Sequence, residues 1–511
     1  MIPMSKNIGF VETPRDICKL MIELSNLPKD ASVLDVGSGK GAFLEELQNL
    51  GFRNCTGIEI DKEFYENLIY KFKNYKIING NFLTYNFCDK FDLIIGNPPY
   101  MHLNQIPEDL AKNVQDLIKT NQGDIYYAFI QRSIEWLKEG GEMILIVPYH
   151  FFYNTYAKFL RNEILKNGKF EIIIDLDEVN LFNNEHPETI IFKFRKGNFN
   201  LNNESIELLK IKQKNTLPEN IYIQAFESLR THNSNNLFDY GILKHYTNNN
   251  PWSTYIFNIP DFPFRKLNEI ARVGVGFVSG YDLAFKLSEK EIENFNKNER
   301  MLVHKFVKGK NCQRYIVKGY KNYILINDTF KDEKILQENY PNIYKKIEQY
   351  KVEMSSRFLA KKKQWFQWQA LRNYKYLMEN NDKLKIYVPT LDRHSFNRFS
   401  IGEEGLLPSG DVLFIQPYDD EDIYFLLGYL NSDFFRQYYL SIGARRGGRI
   451  TFTQKLLDDA QIPQFPDKMK KEISQIVKNI IDNLESNKEI KILEQDLNEK
   501  INNGIIKINT I

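Results

Sequence analysis

Ser32-Val33-Leu34-Asp35-Val36-Gly37-Ser38-Gly39-Lys40-Gly41-Ala42-Phe43-Leu44-Glu45-Glu46-Leu47 decides the fold. A short apolar run ends in a glycine-rich turn and passes straight into a segment with apolar residues at helical spacing, which is a strand–turn–helix unit. Outward from it, strand candidates recur at 57–60, 76–78, 91–95, 142–147, 170–175 and 189–194, with helical patterns between them. That alternation predicts an α/β, Rossmann-like domain: a mostly parallel sheet with helices on both faces. Ligands of such sheets bind at the carboxyl ends of the strands, so the functional residues are expected just after them.

Two of these strand ends carry chemistry. Asp35-Val36-Gly37-Ser38-Gly39-Lys40-Gly41 lets the backbone approach a bound nucleoside, and Glu59, closing the next strand, is placed to accept ribose hydroxyls. The turn lacks the GxGxxG spacing of dinucleotide sites, and an acid at Asp35 would repel a pyrophosphate. An acidic pocket suits a cationic sulfonium instead. The second strand end is Phe91-Asp92-Leu93-Ile94-Ile95-Gly96-Asn97-Pro98-Pro99-Tyr100. Consecutive prolines stiffen the turn and remove N–H donors, leaving carbonyl groups and the Asn97 amide oxygen as acceptors. Two acceptors aimed at an exocyclic amine free its lone pair for attack on a methyl group, and Tyr100 supplies a face for stacking on a flipped base.

With these motifs in this order, the chain resembles the gamma-arranged DNA adenine-N6 methyltransferases of the TaqI type. Further matches are Gly9-Phe10-Val11-Glu12-Thr13-Pro14, Asn81-Phe82-Leu83 and Asp124-Ile125-Tyr126-Tyr127-Ala128-Phe129. The resemblance implies S-adenosyl-L-methionine as cofactor, held by Thr13, Asp35, Gly37, Gly39, Glu59, Ile60, Asn81, Phe82 and Phe129. It implies that Asn97 and the Pro98 carbonyl bind the target amine beside Pro99 and Tyr100, with Phe182 on the far face of the base. Asn81 stands where the family usually has Asp, which is expected to weaken cofactor binding without abolishing it.

The net charge of +2 conceals an asymmetry. Residues 1–235 hold 26 Lys+Arg against 31 Asp+Glu, and residues 236–511 hold 42 against 35, so −5 and +7 make up the +2. The boundary is expected near 235, with a catalytic domain over 1–235 and an α+β target-recognition domain over 236–511 that ends in C-terminal helices. Residues 197–240 read as irregular connection, and about 343–376 as one long helix. In the basic half, Lys361-Lys362-Lys363-Gln364-Trp365-Phe366-Gln367-Trp368 interleaves cations with aromatics, and Gly443-Ala444-Arg445-Arg446-Gly447-Gly448-Arg449 puts three arginines on a turn. Lys362, Trp365, Arg445, Arg446 and Arg449 are the expected contacts to double-stranded DNA.

The four cysteines and seven histidines show no metal-ligand spacing, so no metal is expected. The histidines near the motifs, His102 among them, read as ordinary satisfied or exposed side chains. No signal peptide or long apolar segment appears, which predicts a cytoplasmic protein without a membrane partner. A chain that joins catalytic site and DNA reader is expected to act as a monomer, with any cognate restriction endonuclease separate. A bifunctional enzyme that also cuts DNA, and a methyltransferase acting on RNA or protein amide nitrogen, are the competing readings.

Overall fold

The computed structural model describes residues 11–181, 188–212, 215–216, 218–257, 259–360, 363–418, 421–445 and 449–507. The chain forms two compact units that divide between Ile256 and Phe257.

The first unit is built on strands β1 (Ser32–Val36), β2 (Asn54–Glu59), β3 (Lys76–Asn79), β4 (Phe91–Gly96), β5 (Leu137–Pro148), β6 (Gly168–Asp175), β8 (Thr189–Lys196), β9 (Ser205–Ile211) and β11 (Phe238–Lys244). A short parallel pair, β7 (Val179–Asn180) and β10 (Asn215–Thr216), stands apart. The nine-stranded sheet runs in the order β11-β9-β6-β8-β5-β4-β1-β2-β3. Five neighbouring pairs are parallel, while β8 lies antiparallel to β5 and β6, and β11 to β9. The mixed α/β sheet expected from the alternating pattern is therefore present.

Central strands buried on both faces need apolar residues throughout, and Val33, Leu34, Val36, Leu93, Ile94 and Ile95 are fully buried. Helices α1 (Arg15–Glu23), α2 (Ala42–Asn49) and α3 (Lys62–Lys71) pack Leu20, Leu44 and Leu68 into the core on one face. Helices α4 (Glu108–Ile118), α5 (Ile125–Trp136) and α6 (Lys158–Asn167) cover the other face through Val114, Phe129 and Ile164.

Two expectations require correction here. Residues 197–240 contain β9 and helix α7 (Ile221–Thr231), and β11 then pairs with β9, so the compact unit extends to Ile256 rather than ending near 235. Ser205–Ile211 buries Ile206 and Leu208 on one face and Leu209 and Ile211 on the other, despite the Asn-rich flanks. The segment expected as one long helix is instead broken into Pro341–Glu348, Lys351–Ser355 and Tyr374–Glu379. Between the last two, Phe366 and Trp368 leave helical geometry to enter the core.

The second unit contains a five-stranded sheet centred on Val412–Pro417 and Ile386–Pro389 and a four-stranded sheet centred on Lys321–Ile324 and Val303–Val307. Its core is aromatic: Trp368 stacks on Phe306 at 5.0 Å between ring centres, with Phe277 and Phe285 packed around them. Helices Asp467–Glu485 and Lys491–Lys507 close it. No helix among the described residues is long and apolar enough to cross a membrane.

Candidate active site

The carboxyl ends of β1, β2 and β4 open onto a cavity of about 370 Å³, lined by Thr13, Gly37, Glu59, Ile60, Asn81, Phe82, Asn97, Pro99 and Phe129 among others. After β1, the amides of Gly37 and Ser38 both donate to the Ile58 carbonyl, which ties the turn to β2. Gly37 sits at φ +73°, where a side chain is strained, and a Cβ there would point into open space.

Glu59 is buried, and its two carboxylate oxygens accept from the Gly39 amide at 2.7 Å and the Asp61 amide at 2.8 Å. Burial raises its pKa against the pull of those amides. Asp35 is more extreme. It is 1% exposed, and burial pushes its pKa up to about 7 against the pull of the Ser38 side chain. Neither Asp35 nor Gly39 is among the residues that line the cavity. Phe82 and Phe129 approach to 5.2 Å between ring centres, and Ile60 stays half exposed at the rim. Asn81 already uses its Oδ1 to accept from the Leu83 amide at 3.0 Å, so its acid-to-amide departure is built into a local turn.

On β4, Gly96 passes so close to β1 that a Cβ would lie 2.8 Å from the Val36 carbonyl oxygen. The chain then turns into Asn97. The Asn97 Nδ2 donates to Thr13 Oγ1 at 3.0 Å and to the Val11 carbonyl at 3.4 Å. A backbone carbonyl only accepts, so the nitrogen must face it, and Asn97 Oδ1 is left buried without a partner. Pro98 is buried, and Pro99 reaches the cavity. Tyr100 donates its hydroxyl to the Ile146 carbonyl at 3.0 Å and meets Tyr126 edge-on at 6.2 Å. Phe182 lies outside the described residues.

The structure adds residues that the motifs left unassigned. Met101 and Ile125 line the same cavity, and Lys40 bridges Glu12 at its edge. Among the described residues no group of three His, Cys, Asp or Glu side chains is arranged to hold a metal ion.

The expected DNA-contacting residues separate. Lys362 and Arg446 lie outside the described residues. Trp365 is half-buried against the aromatic core with the Lys351 ammonium 5.0 Å over its ring, and Phe366 and Trp368 are core residues. Arg445 is 2% exposed and its backbone bridges Ile450, so it is drawn inward rather than offered to a groove. Arg449 is half-buried. The aromatic residues of this stretch follow the demand of the core, which the alternation of Lys and aromatics conceals.

The model of the Eco57I restriction-modification methylases matches residues 16–182, the span that carries all these strand ends. A type II methyltransferase of Haemophilus influenzae, M.HindII, is 31% identical over 519 aligned residues that cover 96% of each chain. This chain belongs to the type II DNA methyltransferases of restriction-modification systems. Its similarity to another member, M.MjaIV of Methanocaldococcus jannaschii, is 57% identity over 261 residues, half of this chain and 88% of that one. The fold is shared more widely. A type IIL restriction-modification enzyme, MmeI, solved in complex with DNA, superposes with a TM-score of 0.62 at 13% identity, covering 96% of this chain and 72% of that chain.

Proposed function

We propose that this methyltransferase moves a methyl group from S-adenosylmethionine to N6 of an adenine flipped out of duplex DNA at a specific sequence. It acts as a monomer that protects DNA against a separate restriction endonuclease. The observation that carries the reading is Asn97 Oδ1: a buried acceptor without a partner, on an amide whose nitrogen is fixed by Thr13 and Val11, at the wall of the cavity. Leaving such an oxygen unpaired costs about 1–3 kcal/mol, a cost recovered when an N–H donor arrives.

The residues around the cavity fit the cofactor. About 370 Å³ is room for a nucleoside-sized ligand. Glu59 retains lone pairs for the two ribose hydroxyls, Phe82, Phe129 and Ile60 offer apolar faces to the adenine ring, and Asp35, outside the cavity wall, adds a negative charge at the end of β1 once ionised. When bound, the cofactor supplies an electrophilic methyl on a positively charged sulfur.

The chain's own residues prepare the amine. Asn97 Oδ1 and the Pro98 carbonyl each accept one N–H of the exocyclic amine, which turns its lone pair out of the ring's conjugation and toward the methyl. Tyr100, its hydroxyl tied to Ile146, offers a fixed ring for the base, and Phe182 is the residue that the family resemblance assigns to the opposite face. S-adenosylmethionine, held by Glu59 and the apolar faces of Phe82 and Phe129, would supply the methyl that the amine takes up, and the alkylated nitrogen would release one proton to solvent. Holding both reactants in line supplies most of the rate.

The test incubates the purified protein with tritiated S-adenosylmethionine and unmethylated genomic DNA and maps the modified base by single-molecule sequencing. N6-methyladenine within one recurring sequence is expected. Label on cytosine, RNA or protein would overturn the substrate, and failure to bind the cofactor would overturn the whole reading.

A further inference from the structure

Asp124 occupies the N-cap position of α5, yet its side chain makes no capping hydrogen bond. Its carboxylate is buried and turned elsewhere: Oδ1 lies 2.9 Å from His102 Nδ1 and Oδ2 lies 2.6 Å from His150 Nε2. The His150 contact is a hydrogen bond, and since a carboxylate only accepts, His150 presents its Nε2–H to it, while the exposed His102 ring lies within ion-pair range of the other oxygen.

The three residues come from three places. His102 stands two positions after Tyr100, Asp124 begins the helix that carries Ile125 and Phe129, and His150 follows the end of β5. The backbone is laced at the same point, with the Ile125 amide donating to the Met101 carbonyl at 2.9 Å and the Leu103 amide to the Gly123 carbonyl at 3.0 Å. Met101 and Ile125 both line the cavity. Tyr126 buttresses the arrangement, its hydroxyl 3.2 Å from the Pro148 carbonyl and 3.3 Å from His150 Nε2.

We propose that Asp124, clamped between His102 and His150, is a positioning residue that holds the segment after the Asn-Pro-Pro-Tyr turn against the cofactor-side helix, so that the amine acceptors and the methyl stay in line. The inference rests on the proposed amine-methylating site and adds its alignment device. A shared carboxylate suits this task, because one rigid group with two acceptor oxygens sets the spacing of two loops at once. The helix start itself does not need the side chain, since no amide of the first turn bonds to it.

The experiment measures methyl transfer to unmethylated plasmid DNA, S-adenosylmethionine affinity by calorimetry and thermal unfolding, for the full-length protein. Asp124→Ala is expected to lower kcat by on the order of 10- to 100-fold, the range of an ångström-scale misalignment. Cofactor Kd is expected to stay within about threefold and the melting profile to be retained. His102→Asn and His150→Gln, which keep an N–H near the replaced ring nitrogen, should restore most of the rate lost in His102→Ala and His150→Ala. An unchanged kcat in Asp124→Ala would overturn the proposal. So would a loss of cofactor affinity and fold in step with kcat, or Asn and Gln variants as slow as the alanine ones. Failure of the wild-type protein to methylate DNA would strike the proposed function instead.

Discussion

Asn97 Nδ2 lies 3.0 Å from Thr13 Oγ1 and 3.4 Å from the Val11 carbonyl, and because the carbonyl only accepts, this pair of contacts determines which end of the amide faces the catalytic space. Thr13 precedes α1 and Asn97 follows β4, so two segments 84 positions apart turn a symmetric-looking side chain into a directed acceptor.

Asn97→Ala removes the acceptor without touching the sheet. Methyl transfer in single turnover should fall by at least about 100-fold, the order lost when one preorganised polar group is deleted from a reacting centre. Cofactor Kd and melting should hardly change. Thr13→Val, which releases the amide from one of its anchors, should cost roughly one hydrogen bond and slow the same step about fivefold to tenfold. Undiminished turnover in Asn97→Ala would remove it from the mechanism.

Asp35 links stability and cofactor binding to pH. Its carboxyl ionises near 7 in the folded protein against an ordinary value of 3.8, so the folded state keeps a proton that the unfolded chain has released. Stability of the cofactor-free protein should therefore fall as pH rises from about 4 through about 7, and level off above. Cationic S-adenosylmethionine favours the ionised form, so its affinity should rise between pH 6 and 8. Urea unfolding and calorimetry across this range check both slopes, and Asp35→Asn should flatten them. Equal slopes in the variant would assign the titration to another group.

Glu59→Ala strips the carboxylate that two backbone amides hold in place. Loss of charge-assisted bonds of about 1.5–3 kcal/mol should raise the cofactor Kd by roughly 10- to 100-fold. DNA binding in a gel-shift assay should be unaffected. A parallel loss of DNA binding would mean that Glu59 supports more than the cofactor cavity.

In the second unit, Trp368→Ala should destabilise by about 3–5 kcal/mol, the usual cost of truncating a large buried aromatic. Because Trp368 lies in a core separate from the cofactor cavity, S-adenosylmethionine binding should persist while DNA binding fails. Arg449→Ala should leave the melting unchanged and reduce the slope of log affinity against log salt by about one, as one lost phosphate contact does. An unaltered salt slope would take Arg449 off the DNA.

Much of the first unit was legible in its residues. Apolar runs at 33–36 and 91–95 mark strands because parallel strands buried on both faces have few alternatives to Val, Leu and Ile. Glycines at 37 and 96 mark a strained turn and a close backbone passage. Ser205–Ile211 was less legible, since an Asn-rich setting masks an edge-proximal strand that pairs with β6 and β11 and buries its apolar residues in the cores on both faces. The cation–aromatic run around Trp365 was ambiguous because the same residues serve a nucleic-acid surface or a core, and only the packing of Phe366 and Trp368 decides between them.

The sequence by itself determined the order of strand ends, the acid-rich glycine turn and the stiff polar-Pro-Pro-aromatic turn, because these follow from local propensity and from the donors each residue carries. Tertiary structure alone decided that Asn97 keeps a naked oxygen, that Asp35 is sealed from solvent, and that Asp124 gathers two distant histidines. Hydrogen-bond satisfaction and burial are sums over neighbours from every element that meets at a point, and those neighbours exist only once the sheet has closed.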